Sequence, residues 1–393
     1  MSLLTPMTDQ NADSLATDQT WMFRALQWAR KGRGRTSPNP MVGAVLVRNG
    51  LVVGEGFHAG VGCAHAERMA LTMAGQEAKG ATAFITLEPC SHFGRTGPCA
   101  KTLIDAGVKR VVVGTTDPNP KVSGNGLDLL RRFGVEVSVG IEEDACKDLI
   151  RPFAWHIRTD RPWVHAKWAM SADGKIASLS GDSKWISGEK SREWVHELRG
   201  AVDAIVVGSG TALTDNPLLN ARPCGNRTPA RILLDRRGRT PVTQRLAQST
   251  AEGPVVLITS KRAPSPWKRA WRAKGVEILV AEDGLNALQE MAQSRGWTEI
   301  LLEGGAGILG AAFARGIVNE AHVFVGAKIL GGVVAPGPIG SPIGDPGAIS
   351  MAGAHQLILA QCQVSGPDVR LRYWVQETPT GGSLGLPKTE ESV

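Results

Sequence analysis

The sequence predicts two successive α/β domains. With 393 residues, the chain is longer than a single hydrophobic core usually organises. Apolar runs typical of strands alternate with helical patterns, and such alternation favours sheets covered by helices. One helical segment ends at Asp160-Arg161-Pro162, where a new alternating series begins. We therefore expect domains at residues 20–159 and 160–377, with a disordered lead-in at residues 1–19 and a disordered tail at residues 378–393.

The first domain opens with a predicted helix and a hairpin. Thr20 is a suitable N-cap for a helix that continues to Lys31. The runs VGAVLV and LVVGEGFH flank an Arg-Asn-Gly turn, which is typical of a hairpin. A helix over residues 64–78 and the strands ATAFITLE, VKRVVVGT and VEVSVG, with helices between them, complete a three-layer unit with a mixed sheet. One helix over residues 142–159 leads out of it.

The second domain continues the alternation with more strands. The predicted strands are PWVHAKWAMS, AIVVGSG, ARILLD, PVVLITS, VEILVA, EILLEG and AHVFVGAKIL. Two final runs, QLILAQCQVSG and VRLRYWV, predict a terminal hairpin.

Composition restricts the class of protein and its partners. The formal charge of +7 is a modest excess of 44 basic over 37 acidic residues, which indicates a solvated surface first, phosphate-bearing small ligands second and nucleic acid third. Six cysteines in so long a chain do not suggest a disulfide framework. The first residues lack the pattern of a secretory signal, and no apolar run approaches the roughly 18 residues that span a bilayer. We expect a cytoplasmic protein with no membrane partner.

The strongest chemical signal is a set of metal-ligand residues. His65-Ala66-Glu67 is followed by Pro89-Cys90 and Pro98-Cys99. One imidazole and two thiolates fill three positions of tetrahedral Zn²⁺ and leave the fourth for water, as a catalytic site requires. Zinc makes hydroxide available near neutral pH, and Glu67 can move protons without being a ligand. This pattern is typical of zinc deaminases, although here eight residues separate the cysteines and the usual number is two.

Two other interpretations of these residues stay open. A buried cysteine often behaves as a small apolar residue. A structural zinc site is the other alternative, but it normally has four protein ligands, and Cys63, two residues before His65, is doubtful as a fourth.

Longer motifs carry a family resemblance. The run EPCSHFGRTGPC, with TSPNPMVGAVLV, HAERMAL and TDPNPKVSGNG, closely resembles the bifunctional deaminase/reductase family of riboflavin biosynthesis, which carries this extended loop between its zinc cysteines. The resemblance covers essentially all of residues 20–375. It implies a cytidine-deaminase-like three-layer domain followed by a dihydrofolate-reductase-like α/β domain, with one Zn²⁺ per chain bound by His65, Cys90 and Cys99 and with Glu67 as the catalytic acid/base.

The resemblance also implies two reactions. The first is the hydrolytic deamination of 2,5-diamino-6-ribosylamino-4(3H)-pyrimidinone 5′-phosphate by zinc-activated hydroxide. The second is the NADPH-dependent reduction of the ribosyl to the ribityl side chain. Around the pyrimidine of the first reaction, the resemblance places Asn39, His58, His92 and Arg95. Amide and imidazole groups suit pyrimidine edges and Arg95 suits a phosphate, but Asn39 between two prolines also suits a simple turn.

A glycine-rich segment marks the second domain. Residues 305–310 satisfy G-x-G-x-x-G directly after a predicted strand, which suggests a dinucleotide site at a helix start. The segment falls late in the domain, and no acidic residue follows at the distance expected for a ribose partner. A tight left-handed turn with close helix packing remains the alternative.

For the second domain, residues that contact cofactor and substrate come from the resemblance, which rests here on KWAMSADGKIAS, GDSKWIS and GSGTALTDNPLLNAR. It implies cofactor contacts at Ala169, Trp185, Thr211, Asp215, Gly305, Ala306, Gly307, Ile308, Leu309, Gly310 and Ala311. It implies substrate contacts at Ser183, Arg199, Leu219, Arg222 and Glu303.

Chemistry suggests roles for some of these side chains. Arg199 and Arg222 suit a sugar phosphate, because guanidinium pairs bidentately with phosphate. Lys167, Asp215 and Glu303 are ionisable groups near the expected hydride transfer, and any of them could assist protonation. The basic residue that selects the 2′-phosphate of NADPH is expected among Arg236, Arg237 and Lys261.

Two other functions compete with the bifunctional enzyme. One is a zinc deaminase that acts on nucleic acid, with a non-catalytic binding domain at its C-terminus; a pI near 9.2 favours it, but no basic stripe with interleaved aromatic residues is evident. The other is a non-enzymatic protein that zinc stabilises. We expect a phosphorylated pyrimidine as partner, no nucleic acid, and a homodimer or larger homo-oligomer, the last implied by the family resemblance.

Overall fold

The computed structural model describes residues 9–91, 97–120, 122–222, 227–332, 334–340 and 351–376. The predicted tail at 378–393 and the first eight residues of the lead-in lie outside the described residues. The chain divides into two compact units, here called the first and second units. The first comprises Met1–Pro162 with Ala292–Thr298, and the second comprises Trp163–Met291 with Glu299–Val393.

The first unit is built on a five-stranded sheet of order β2-β1-β3-β4-β5. Its strands are β1 (Gly43–Arg48), β2 (Leu51–Phe57), β3 (Thr82–Leu87), β4 (Arg110–Thr115) and β5 (Glu136–Val139). β1 is antiparallel to both β2 and β3, whereas β3, β4 and β5 are parallel. The helices are α1 (Asp9–Arg30), α2 (Ala66–Ala74), α3 (Cys99–Asp105), α4 (Asn125–Arg132), α5 (Glu143–Leu149) and α6 (Arg151–Thr159), and a short 3₁₀ helix spans Gly75–Ala78.

Both faces of this sheet are buried. Along β1, Ala44 and Leu46 join an apolar cluster with Ala70 of α2. Val45, which points to the opposite face, joins a second cluster with Met22 of α1. The alternation of side chains along a strand thus feeds two separate apolar layers, which confirms the three-layer α/β prediction.

Two helices differ from the sequence prediction. α1 begins at Asp9, well before the predicted N-cap at Thr20, so part of the segment expected to be a lead-in is helical. The helix predicted over residues 142–159 was wrong as a single element, because it is divided at Ile150 into α5 and α6. Pro152, in the first turn of α6, has no backbone N–H to continue the hydrogen-bond ladder of α5.

The second unit contains a nine-stranded sheet of order β10-β9-β8-β7-β11-β6-β12-β14-β13. Its strands are β6 (Trp163–Ser171), β7 (Ala204–Gly208), β8 (Ala230–Leu234), β9 (Val255–Thr259), β10 (Glu277–Val280), β11 (Glu299–Glu303), β12 (Glu320–Gly326), β13 (Leu357–Ser365) and β14 (Asp368–Val375). The helices are α7 (Glu189–Arg199), α8 (Ser209–Asp215), α9 (Arg245–Gln248), α10 (Ser265–Arg272), α11 (Gly284–Ser294) and α12 (Ala306–Ala314). Short 3₁₀ helices span Thr250–Glu252 and Met351–Gly353.

The directions of the strands in this sheet indicate where a ligand would bind. β6 to β12 pair in parallel, whereas β14 is antiparallel to both β12 and β13. β13 and β14 are the terminal hairpin that the sequence predicted. In parallel sheets, ligands bind in the crevice outside the carboxyl ends of the strands. Glu303, Gly208 and Leu234 end β11, β7 and β8 there. No helix in the described part of the chain has the length and apolar character needed to cross a membrane.

Candidate active sites

Three predicted metal ligands of the first unit converge. His65 precedes α2 in extended conformation, Cys90 follows β3, and Cys99 begins α3. His65 Nδ1 lies 3.7 Å from Cys90 Sγ and 3.2 Å from Cys99 Sγ. All three ligand atoms lie within 4.8 Å of one another. Two thiols and one imidazole nitrogen at such distances form the donor set that Zn²⁺ prefers, so the residues fit the metal.

The two cysteines are electrostatically unequal. The Cys99 thiol donates to Cys90, and this hydrogen bond, with help from His65, lowers the pKa of Cys90 to about 4. The backbone N–H of Cys99 also donates to Cys90 Sγ at 3.3 Å. The same interaction, together with burial, raises the pKa of Cys99. The hydrogen bonds that Cys90 Sγ accepts favour its thiolate form, and a bound cation would favour loss of the second proton.

Glu67 stands beside these ligands but is not one of them. It lies in the first turn of α2, two residues after His65, and is only 3% exposed. Burial is the main cause that raises the pKa of Glu67 to about 7, and the negative charge of Cys90 adds to it. A buried carboxyl group with this pKa exchanges a proton readily near neutral pH.

Glu88, which the sequence prediction missed, holds the neighbouring loop. Its carboxylate accepts backbone N–H groups from Asp117 at 3.1 Å, Gly124 at 3.0 Å and Gly126 at 3.0 Å. A Cβ at Gly126 would lie 2.0 Å from the Pro89 carbonyl oxygen. Asp117, Gly124 and the first turn of α4 therefore lie against the segment that leads into Cys90. The glutamate of EPC and the glycines downstream were visible signals, but no spacing rule links them.

The predicted pyrimidine contacts are partly described. Asn39 Nδ2 lies 3.2 Å from His58 Nε2, and His58 Nδ1 lies 3.2 Å from the Ala64 carbonyl oxygen. The His58 and His65 rings meet edge to face, with centroids 5.5 Å apart. Asn39 and His58 thus lie together next to the metal ligands. His92 and Arg95 lie outside the described residues.

A cleft of about 1460 Å³ opens at the carboxyl ends of β6, β7, β8 and β11 in the second unit. All predicted substrate contacts of this domain line it, namely Ser183, Arg199, Leu219, Arg222 and Glu303. So do nine predicted cofactor contacts: Ala169, Trp185, Thr211, Asp215, Gly305, Ala306, Gly307, Ile308 and Ala311. The other two, Leu309 and Gly310, are buried away from it in α12.

Charged side chains meet at the centre of this cleft. Arg199 Nε and Nη2 donate to Glu303 Oε1 and Oε2 at 2.5 and 2.7 Å, which forms a bidentate pair. Lys167 is the register partner of Glu303 across β6 and β11. Burial lowers the pKa of Lys167, Glu303 opposes this effect, and Arg199 adds to it. Burial raises the pKa of Glu303, but Arg199 and then Lys167 outweigh it, so this pKa is lowered overall.

The glycine-rich segment has features of both interpretations that the sequence left open, a dinucleotide site and a tight turn with close helix packing. Gly305 has φ +76°, and a Cβ there would lie 2.5 Å from Thr211 Oγ1. Gly307 has open space where a Cβ would be, and it lines the cleft. A Cβ at Gly310 would lie 1.5 Å from the Gly340 carbonyl oxygen. The first glycine therefore permits the turn, the second leaves room beside the cleft, and the third allows close packing.

Of the three basic residues considered for the 2′-phosphate, only Arg236 lines the cleft. It follows β8 and lies next to Asp235, which is buried. The Asp235 carboxylate accepts backbone N–H groups from Gly238, Arg239 and Thr240, which fixes the turn. Arg239, which the sequence prediction missed, also lines the cleft and donates to Ser209 Oγ at 2.7 Å.

Comparisons with known proteins match both units. A family model described as the RibD C-terminal domain matches residues 162–371, and one described as the cytidine and deoxycytidylate deaminase zinc-binding region matches residues 15–115. The riboflavin biosynthesis protein RibD of Actinobacillus pleuropneumoniae is 42% identical over 371 residues, which cover 93% of this chain and 97% of that protein. RibD of Escherichia coli is 38% identical over 367 residues, which cover 90% and 98%.

Two solved structures are similar to this chain over most of its length. A structure titled diaminohydroxyphosphoribosylaminopyrimidine deaminase/5-amino-6-(5-phosphoribosylamino)uracil reductase, from Thermotoga maritima, has a TM-score of 0.78 at 34% identity and covers 92% of this chain and all (100%) of its own. RibD of Acinetobacter baumannii has a TM-score of 0.76 at 36% identity and covers 92% and 99% of the two chains. The predicted succession of a deaminase domain and a reductase-like α/β domain is thereby confirmed.

Proposed function

Because this chain belongs to the RibD family of bifunctional deaminases and reductases of riboflavin biosynthesis, we propose which substrate and which residues serve each reaction. The first unit deaminates 2,5-diamino-6-ribosylamino-4(3H)-pyrimidinone 5′-phosphate. The second unit then uses NADPH to reduce the ribosyl to the ribityl side chain. The observation that carries this proposal is the convergence of His65, Cys90 and Cys99 in a chain whose other unit holds the charged cleft.

In the first unit, His65, Cys90 and Cys99 hold one zinc ion. When bound there, zinc lowers the pKa of water and so supplies hydroxide near neutral pH. Glu67 accepts the proton of the attacking water and later delivers a proton to the departing ammonia. Asn39 and His58, which contact each other beside the ligands, present amide and imidazole groups to the pyrimidine edge. Buried Glu88 keeps the turn that carries Cys90 in place through its hydrogen bonds to the backbone of Asp117, Gly124 and Gly126.

In the second unit, the cleft binds the phosphorylated substrate and the nicotinamide cofactor together. NADPH supplies the hydride. Of the three ionisable groups considered for the proton, Arg199 holds Glu303 ionised, and Asp215 accepts a hydrogen bond from Ser183 Oγ at 3.1 Å. Burial lowers the pKa of Lys167, which makes its ammonium group a better proton donor than that of an ordinary lysine. We therefore assign proton delivery to Lys167.

We assign the preference for NADPH to basic residues that follow β8 and line the cleft. Arg236 projects from the turn that Asp235 fixes, and Arg239 lies beside it. Guanidinium groups bind phosphate through charge-assisted hydrogen bonds. Arg236 is thus the proposed partner of the 2′-phosphate, which NADH lacks.

The alternative of a nucleic-acid deaminase is not favoured, because the second unit matches a reductase family along most of its length. The expected homo-oligomer stays a prediction.

One assay tests the proposed function directly. The purified chain is incubated with the diaminopyrimidinone ribosylamino phosphate while ammonia and NADPH absorbance are followed together. We expect ammonia first and NADPH loss after it. Glu67→Gln should slow ammonia release by about 10²- to 10⁴-fold without loss of bound zinc. The control, Glu77→Gln, alters an exposed carboxylate of the same unit and should leave the rate of ammonia release unchanged. No ammonia from the zinc-loaded unaltered chain would refute the substrate assignment.

A further inference from the structure

A second group of metal-ligand side chains lies inside the sheet of the second unit, and neither proposed reaction uses it. The group consists of His165 on β6 and of Glu320 and His322 on the neighbouring strand β12. Glu320 is the register partner of His165, and residues two apart on a strand share a face. All three residues are at most 3% exposed.

The donor atoms of these residues, which include both oxygens of Glu320, lie close together. His165 Nδ1 lies 3.2 Å from His322 Nε2, and His322 Nε2 lies 3.0 Å from Glu320 Oε1. His165 Nδ1 lies 3.6 Å from Glu320 Oε2. Ligands at about 2.0–2.1 Å from a tetrahedral Zn²⁺ are about 3.3 Å from one another. The three observed distances between donor atoms lie on both sides of that value.

Neighbouring groups orient the donors. His165 Nε2 lies 3.0 Å from Glu299 Oε2, and a carboxylate accepts only, so the ring proton of a neutral His165 belongs on Nε2. A histidine ligand with a carboxylate on its other nitrogen is a recurrent feature of metal sites. Trp163 Nε1 donates to Glu320 Oε2 at 3.0 Å, and Arg372 Nε donates to Glu320 Oε1 at 2.5 Å. Each carboxylate oxygen keeps a second lone pair.

Counting protons shows why a cation suits this point. For a neutral His165 with its proton on Nε2, His165 Nδ1 and both Glu320 oxygens direct lone pairs inward, and His322 Nε2 carries the one proton available between them. One proton cannot form hydrogen bonds in all three of these contacts. In the contact between His165 Nδ1 and Glu320 Oε2, the lone pairs of both atoms then face each other without a proton between them. Glu299, whose side chain is 22% exposed, and Glu320 place two carboxylates beside these donors, and Arg372 pairs with Glu320.

We propose that His165, His322 and Glu320 bind a second Zn²⁺, separate from the ion of the first unit. Two imidazoles and a carboxylate are the three protein ligands of some catalytic zinc sites, and here a bidentate Glu320 would supply a fourth donor atom in place of water. The ion would join β6 to β12, and β6 also carries Lys167. Its role is structural, and the inference does not depend on the substrate of either reaction.

Metal content tests the proposal. The full chain is saturated with zinc, freed of excess metal and analysed by mass spectrometry. We expect about two zinc ions per chain for the unaltered protein and about one for His322→Gln. The control, His355→Gln, changes an exposed histidine of the same unit and should retain about two. About one ion in the unaltered chain, with no change in His322→Gln, would overturn the proposal and indicate a shared proton instead.

Cobalt supplies a readout that does not depend on a folded variant. Co²⁺ bound by Cys90 and Cys99 gives intense sulfur-to-metal charge transfer, whereas a site of two imidazoles and a carboxylate gives only weak visible bands. Titration of the metal-free unaltered chain should show both kinds of spectrum, in two separable steps. A single step with thiolate character would contradict the second site and would leave the deaminase proposal intact.

Discussion

Lys167 and Glu303 face each other across β6 and β11, and Arg199 holds the carboxylate from α7. If Lys167 delivers the proton, Lys167→Met should slow reduction by about 10²- to 10⁴-fold and leave ammonia release unchanged. The two rates are measured on one preparation, with the deaminated substrate supplied for the second. Unchanged reduction in this variant would rule out Lys167 as the donor.

The pH profile of reduction follows from the same group. The active form of Lys167 is protonated, so the rate falls as pH rises through its pKa, which burial lowers from the usual value for lysine. Arg199 lowers this pKa further. Arg199→Gln should therefore move the alkaline limb of the profile to higher pH, whatever its effect on substrate binding. A shift to lower pH would contradict this electrostatic account.

The proposed preference for NADPH can be tested at Arg236, two residues after the end of β8. Arg236→Ala removes the proposed partner of the 2′-phosphate and should raise KM for NADPH by about 10- to 100-fold with little change for NADH. Arg237→Ala is the matched control, because Arg237 is the next basic residue but does not line the cleft. Equal effects of both variants would indicate a general field effect and no specific contact.

At the level of elements, α12 offers a paired test of glycine function. A Cβ at Gly310 would collide with the Gly340 carbonyl oxygen, so Gly310→Ala must displace α12 or its neighbour and should cost about 1–3 kcal/mol in the free energy of unfolding. Gly307 in the same helix has nothing within 4 Å of such a Cβ. Gly307→Ala should be neutral or should stabilise by up to about 1 kcal/mol. Denaturant unfolding measures both, and equal losses would contradict the packing argument.

The same segment shows what sequence patterns can predict. The G-x-G-x-x-G match left a phosphate turn and tight packing open, since both require a residue without a side chain. The structure separates them, because it shows which neighbours Gly305, Gly307 and Gly310 have. Strands were easier to predict, since apolar alternation directly reflects which faces are buried. The division of the outgoing helix at Ile150 was missed although Pro152 was visible.

The sequence prediction missed the residues that lie far apart in the chain and come together only in the folded structure. His65, Cys90 and Cys99 lie within 35 residues in a run of residue types typical of zinc deaminases, so the sequence predicted them although the spacing of the cysteines is unusual. His165 and His322 are isolated histidines on two strands, 157 residues apart, and only the parallel register of β6 and β12 joins them. For a similar reason, the sequence could not distinguish Arg236 from Arg237. The two are adjacent on one turn, and only the structure shows that Arg236 lines the cleft and Arg237 does not.

At the scale of the whole molecule, the sheet of the second unit leaves a long strand at its edge. β13 pairs only with β14 in the described residues, and most of its side chains are exposed. Exposed edge strands favour pairing with another chain. This edge is compatible with the expected homo-oligomer, which stays a prediction.

The division of chemistry between two units predicts that each activity can be lost alone. Cys90→Ser removes a ligand from the first unit and should abolish its zinc binding and ammonia release. Reduction of 5-amino-6-(5-phosphoribosylamino)uracil should continue at the unaltered rate, because no residue of the cleft belongs to the first unit. Cys63→Ser is the control, since Cys63 is exposed and outside the ligand group in the described residues. Parallel loss of both activities in Cys90→Ser would mean that the second unit depends on the metal of the first.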